Sequence, residues 1–248
     1  MKIKLDFNQI DPANGKEPQA LIVVLHGLGD QKDQYHRIYS RFASEFPDAR
    51  VIVPNGFQSF DEGLPGWGHY IVKKKLPRER YEQAQQGYSW FTLNPLTLPY
   101  LVKSDKIDTV GKLNDFLTSS LEEANLADDR LIIFGFSQGG MIAIMAATRR
   151  AQPCAGVIAH SSTLPASFQT AVNPPLDLIK GDLEMAYDSK LTFKLINMTH
   201  ERTLQRLNRM NMPYNDHVVK NLGHTISEDS LKLSVDIIKK RLGITAQP

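Results

Sequence analysis

Cysteine is nearly missing from this 248-residue chain. Cys154 stands alone, which excludes an internal disulfide framework and any multi-cysteine metal site. Charge of one sign is missing too: 29 basic side chains face 27 acidic ones, for a formal net charge of +2. So even a balance sets up no strong field and gives a nucleic-acid partner no support. No stretch approaches the ~18 continuous apolar residues of a membrane span, so stable membrane insertion is not expected. The opening Met1-Lys2-Ile3-Lys4-Leu5-Asp6 lacks the apolar core of a signal peptide, and a cytoplasmic, soluble protein is the expectation. There is no internal repeat and no compositional break, so residues 1–248 are read as one domain. Oligomeric state is not legible. What is present is ordinary for a globular enzyme, 42% hydrophobic and 23% charged, which excludes disordered and fibrous classes.

Short β-branched runs alternate with longer amphipathic ones, the pattern of βα units around a mostly parallel sheet with helices on both faces. Leu21-Ile22-Val23-Val24-Leu25 is a continuous apolar run, as a strand buried on both sides should be. Runs at 50–53, 130–134, 156–159, 176–179 and 217–220 complete the central strands, with a weaker N-terminal strand near 2–7. Ile107, Val110, Asn114, Leu117 and Leu121 share a helical face, as do Leu231, Val235, Ile238 and Leu242. Residues 138–151 are apolar nearly all round, which predicts a helix packed deep against the sheet. Two irregular stretches, 55–104 and 163–175, interrupt the alternation.

Gly135-Phe136-Ser137-Gln138-Gly139 matches G-x-S-x-G between a buried strand and an apolar helix. That is the strand–turn–helix setting of a nucleophile elbow. A helix N-terminus behind Ser137 favours developing negative charge, and the Gln138 amide can donate to an oxyanion. The bland alternative is a glycine-rich helix start with an incidental capping serine. The elbow's usual partners follow in the order serine, acid, histidine. His200 falls in a helical run and His217 at the start of the last strand. His224, in Asn221-Leu222-Gly223-His224, follows that strand where a general base belongs. After the strand at 176–180, three carboxylates compete to orient it: Asp182, Glu184 and Asp188. Spacing alone favours none of them.

His26-Gly27-Leu28-Gly29-Asp30 follows the first strong strand and reads as an oxyanion loop, with the Leu28 amide as second donor. A dinucleotide loop is the competing reading, but G-x-G-x-x-G is absent. His26 is read as a structural anchor of the loop.

These segments resemble the bacterial phospholipase/carboxylesterase family, which includes the acyl-protein thioesterases, within the α/β-hydrolase fold. The resemblance rests on Leu25-His26-Gly27-Leu28-Gly29-Asp30, on Gly135-Phe136-Ser137-Gln138-Gly139-Gly140-Met141 and on Leu222-Gly223-His224. Gly87-Tyr88-Ser89-Trp90-Phe91 is similar to the family's Trp-Phe segment, and the likeness runs over roughly residues 20–242. The family pattern His-Gly-x-x-Asp becomes Lys180-Gly181-Asp182-Leu183-Glu184 here, so the resemblance implies Glu184 as the acid, with Ser137 and His224. It further implies Trp90, Phe91 and Trp67 near an acyl pocket, and no metal or organic cofactor. Residues 57–86 exceed the family's usual loop and are expected to act as a lid or pocket insertion that narrows acyl-chain choice.

The expected activity is hydrolysis of small or medium acyl esters or thioesters through an acyl-serine, with acyl-protein thioesterase or lysophospholipase action as the alternative. A non-catalytic ligand-binding protein on the same scaffold is the rival from another class. A dienelactone-type hydrolase would need a cysteine nucleophile, and Cys154 lies outside the elbow.

Overall fold

The computed structural model of the chain describes residues 5–64, 69–70, 73–74, 76–92, 105–164, 171–184 and 199–244. In chain order the strands are β1 (Phe7–Ile10), β2 (Ala20–Leu25), β3 (Ala49–Pro54), β4 (Gln58–Ser59), β5 (Tyr88–Ser89), β6 (Leu131–Phe136), β7 (Gly156–His160), β8 (Leu176–Gly181) and β9 (Tyr214–Val219). The helices are α1 (His36–Glu45), α2 (Phe60–Gly63), α3 (Arg78–Gln85), α4 (Asp105–Glu123), α5 (Gln138–Ala147), α6 (His200–Arg209) and α7 (Glu228–Leu242).

The main sheet has seven strands in the order β1-β3-β2-β6-β7-β8-β9. Only β1 runs antiparallel, with Phe7 opposite Pro54 and Ile10 opposite Val51. Among the described residues the N-terminal strand begins at Phe7; residues 2–4 of the expected span lie outside them. His217 sits inside β9, not at its start, because pairing with β8 begins at Tyr214 opposite Leu176.

Every residue of β2 and β6 is buried, which is what a strand covered on both faces requires. The period of two splits β2 between two cores. Leu21, Val23 and Leu25 pack with Val110, Leu113 and Leu117 of α4 and with Met141 to Met145 of α5. Ile22 and Val24 pack with Ile38 and Phe42 of α1 and with Leu231, Val235 and Ile238 of α7. Fully burying each such side chain contributes roughly 1.5–3 kcal/mol. The helix predicted over 138–151 ends at Ala147. There the Thr148 hydroxyl turns back to donate to the carbonyls of Ile144 and Met145, and the all-round apolar run closes.

This topology decides where a site can form. Chain order proceeds from β2 outward to β3, then returns to β6 on the other flank of β2. Loops leaving the carboxyl ends of β2 and β6 therefore part in opposite directions and open a crevice, the usual place for a ligand in such sheets. Residues 26–30 and Ser137 lie at that crevice.

The described part of the 57–86 insertion is ordered around the first of these loops. β4 and β5 pair antiparallel, and the Ser59 hydroxyl accepts from the Glu62 amide to cap α2. Tyr88 exchanges backbone hydrogen bonds with the 26–30 loop: Gly29 N–H donates to Tyr88 O, and Tyr88 N–H to Asp30 O, each at 2.9 Å. Tyr70 is exposed, with the Lys74 ammonium 4.5 Å above its ring. Trp67 and Ile71 lie outside the described residues.

Candidate active site

Ser137 occupies the turn between β6 and α5 with φ 54° and ψ −116°. A non-glycine residue there is strained, and such strain persists only where the surroundings impose it. Here the Ser137 N–H donates to His160 O at 2.9 Å, while its own carbonyl accepts from the Ser162 hydroxyl and from the Gly140 and Met141 amides. Tight packing also explains Gly139. A Cβ there would lie 2.3 Å from Leu25 O and 2.5 Å from His26 O, so only glycine lets α5 begin against the oxyanion loop.

His224 reaches Ser137 from the loop after β9. Its Nε2 lies 3.1 Å from Ser137 Oγ, and its Nδ1 lies 2.7 Å from Glu184 Oε1. A helical turn opening after Gly181 carries the carboxylate. The two loops are fastened together: Glu184 N–H donates to Leu222 O, and a Cβ on Gly181 would sit 1.9 Å from that same carbonyl. Of the two candidate carboxylates among the described residues, Glu184 is the one placed against His224. Asp182 turns Oδ1 into a buried position with no hydrogen-bond partner among the described residues, and Asp188 lies outside them. Burial alone would raise the Glu184 carboxyl. The hydrogen bond and charge of His224, then Lys180 and the Ser161 hydroxyl, outweigh it and hold the group below its ordinary range.

The chain's two departures from the family pattern meet here. Lys180, in the position of the pattern's histidine, places its buried ammonium 4.0 Å from Glu184 Oε1, four residues on in the chain. The longer acid and the added cation thus form a pair.

On the oxyanion side the Leu28 amide stands apart from its neighbours. Gly27 N–H donates to Tyr35 Oη, Gly29 N–H to Tyr88 O and Asp30 N–H to Gly27 O. Among the described residues the Leu28 N–H has no acceptor. The Gln138 N–H, in the first turn of α5, has no intrahelical acceptor either. The loop that carries Leu28 meets the start of α5 at Gly139.

His26 holds this loop. Its Nε2 accepts from Gly56 N–H at 2.9 Å, which leaves the proton on Nδ1 to donate to Gly27 O at 2.7 Å. Burial pushes its pKa down to about 4, against the opposing pull of the Gly27 carbonyl and the Asp30 charge, so the ring is neutral at physiological pH. The Trp90 indole N–H donates to His26 O at 2.8 Å. Trp90 and Phe91 are 0% and 2% exposed and belong to the core. They brace the loop from behind, and neither lines the cavity that opens beside His224.

Sequence reasoning used only the backbone of Gln138, yet its side chain is a clamp. Its Nε2 donates to Phe91 O and Ser89 Oγ, and its Oε1 accepts from Trp90 N–H. A lone amide opening an otherwise apolar buried helix was the signal, since buried amides need partners. His160 also escaped notice. Burial pushes its pKa down to about 4, and its Nδ1 lies 3.0 Å from Ser161 Oγ.

No group of three or more His, Cys, Asp or Glu side chains among the described residues could hold a metal ion. No helix among them is long and apolar enough to cross a membrane.

A mostly parallel sheet clothed by helices on both faces, with a serine elbow at its switch point, defines an α/β-hydrolase fold. Within that class the chain belongs to the phospholipase/carboxylesterase family, whose sequence model matches residues 9–242. An acyl-protein thioesterase 1 of Mycosarcoma maydis is 26% identical over 165 residues, 63% of this chain and 62% of that protein. A second, from Cryptococcus neoformans, is 26% identical over 59% of this chain and 55% of its own length. The chain thus spans less than two thirds of the length of these curated relatives. The solved structure of esterase PE8 superposes with a TM-score of 0.72 at 22% identity, covering 96% of this chain and 99% of that one. SOBER1 of Arabidopsis thaliana does so with a TM-score of 0.65 at 19% identity, covering 90% and 99%. At such identities the likeness speaks to the fold alone.

Proposed function

We propose that the protein is a serine carboxylesterase that hydrolyses small or medium acyl esters or thioesters through an acyl-serine intermediate. The observation that carries this reading is the alignment Ser137 Oγ–His224 Nε2 at 3.1 Å and His224 Nδ1–Glu184 Oε1 at 2.7 Å behind a strained elbow. Ser137 Oγ forms a bond to the acyl carbon while its proton passes to His224 Nε2. The carbonyl oxygen gains the negative charge and is held by the Leu28 and Gln138 amides. The bond to the leaving oxygen or sulfur then breaks as that atom takes the proton from His224. Water repeats the sequence on the acyl-serine and releases the carboxylic acid. Glu184 keeps the imidazole in its working tautomer and stabilises the imidazolium. No step calls for a cofactor.

Thioesters are included because both curated relatives quoted above are named acyl-protein thioesterases. A non-catalytic binding protein would have no reason to maintain the Ser137 strain together with both His224 contacts. The test is a p-nitrophenyl ester series from C2 to C16 on the wild type and on Ser137→Ala. Wild-type turnover with a loss of about 10⁶-fold in the variant is expected. Full activity in Ser137→Ala would refute the assignment.

A further inference from the structure

A cavity of about 470 Å³ opens directly beside His224, lined among others by Asp30, Arg37, Arg80, Gln83 and Phe136. Its position has a chemical meaning. In the first half of the proposed reaction His224 must hand its proton to the departing oxygen or sulfur. The group beyond that atom therefore lies on the histidine side, where the imidazole is about half exposed. This cavity lies on that histidine side.

The lining is rich in unused donors. Asp30 is occupied on both oxygens, Oδ1 by Arg80 and Oδ2 by the Tyr35 hydroxyl. The Gln83 carbonyl accepts from Arg80 and the Gln34 carbonyl from the Gln31 amide. A guanidinium carries five N–H donors. Arg37 uses one on each terminal nitrogen, toward Glu228 and Ile226 O, and Arg80 one on each, toward Asp30 and Gln83. The remaining N–H groups of both, and the amide nitrogens of Gln34 and Gln83, have no acceptor among the described residues. The lining itself sets two guanidiniums against one carboxylate, with Glu228 offsetting Arg37 from outside it.

From this placement we infer that the cavity is a leaving-group subsite for an alcohol or thiol bearing an anionic acceptor, a carboxylate or phosphate, with Arg37 and Arg80 as its specificity-determining residues. The inference rests on the hydrolase reading above and deepens it. It also redirects the expectation for the 57–86 insertion: α3 of that insertion supplies Arg80 and Gln83 to the leaving-group side, so the insertion selects what departs rather than acyl-chain length.

The test holds the acyl group constant. S-butyryl mercaptoacetate and its neutral isostere S-butyryl mercaptoacetamide are compared by kcat/KM, each divided by its hydroxide-catalysed rate. The wild type is expected to prefer the carboxylate by about ten-fold at low salt, the scale of two half-exposed charge pairs. That preference should shrink in 0.5 M NaCl, because screening weakens such pairs. Arg80→Gln and Arg37→Gln, on different helices, should each lower the ratio about three-fold, and the p-nitrophenyl acyl-length profile should keep its shape. Two variants guard against a local loosening of α3, since Arg37 belongs to α1. A wild-type ratio near one on an enzyme that turns over p-nitrophenyl butyrate would overturn the subsite while leaving the hydrolase standing. So would an acyl-length profile that shifts in the variants while the ratio stays. Failure of the wild type to hydrolyse any ester would overturn both readings together.

Discussion

The contact between Glu184 and His224 can be broken in two ways that separate charge from reach. Glu184→Gln keeps the length of the side chain and removes the charge. The carboxylate that would stabilise a cation on His224 is then gone. Replacing a triad carboxylate by its amide lowers kcat by about 10⁴-fold, and a loss of that size is expected. Glu184→Asp keeps the charge and shortens the side chain by one carbon–carbon bond, roughly 1.5 Å. The 2.7 Å contact to Nδ1 then opens to roughly 4 Å, beyond hydrogen-bonding range. A misplacement of that order costs about 10²-fold. The family's own aspartate is therefore expected to be the wrong acid in this chain, because Gly181 and Leu222 O set the backbone where only the longer side chain reaches. The assay is kcat on p-nitrophenyl butyrate at pH 7.5, with circular dichroism to verify folding and Asp182→Asn as the comparison. If Glu184→Gln stays within ten-fold of wild type, or Asp182→Asn falls as far, the reasoning fails.

Stability is expected to depend on the opposite end of the sheet. Asp177, at the start of β8, accepts from His217, from Asn215 and twice from Arg241. Asp177→Ala should cost about 3 kcal/mol, roughly 9 °C in Tm for a chain of this size, with kcat at 25 °C unchanged. Burial would raise the Asp177 carboxyl, but the hydrogen bonds from His217, Arg241 and Asn215 hold it below its ordinary value. Its contribution is thus present above about pH 4 and lost as pH falls through the lower folded value. The Tm gap between wild type and variant should narrow from pH 5 to pH 2, and a constant gap would count against this account. Gly139→Ala should destabilise by roughly 3 kcal/mol, because its Cβ meets two backbone carbonyls that cannot turn aside. It should also cut kcat more than 100-fold, about the cost of a 1 Å displacement between nucleophile and oxyanion loop. A Tm within 1 °C of wild type would refute it.

Local chemistry made much of this molecule legible in its sequence. The continuous apolar runs of β2 and β6 could only be strands covered on both faces, and the glycines around Ser137 marked a turn that side chains would block. His224 was picked out by its place after the last strand, and its ring lies 3.1 Å from Ser137 Oγ. The far end of the N-terminal strand, residues 8–10, was missed because these residues are exposed or only partly buried and carry little pattern; pairing with β3 decides its position.

Choices among near neighbours were beyond local pattern. Asp182, Glu184 and Asp188 lie within seven residues, and nothing in their spacing separates the first two. The Glu184–Leu222 backbone bond and the close approach at Gly181 aim Glu184 at His224, and both depend on a loop some forty residues away. The partners of Gln138 and the proton position on His26 are likewise set by segments distant in the chain. The insertion illustrates the same limit. Its aromatics drew attention to an acyl pocket, while the fold carries Arg80 and Gln83 to the cavity beside His224. By itself the sequence determined which residues are candidates for chemistry, because the segments around Ser137, His224 and Leu28 are short and carry their own local steric demands. Only the tertiary structure decided which carboxylate lies against His224 and which cavity the insertion lines, because both are set by where separate loops meet.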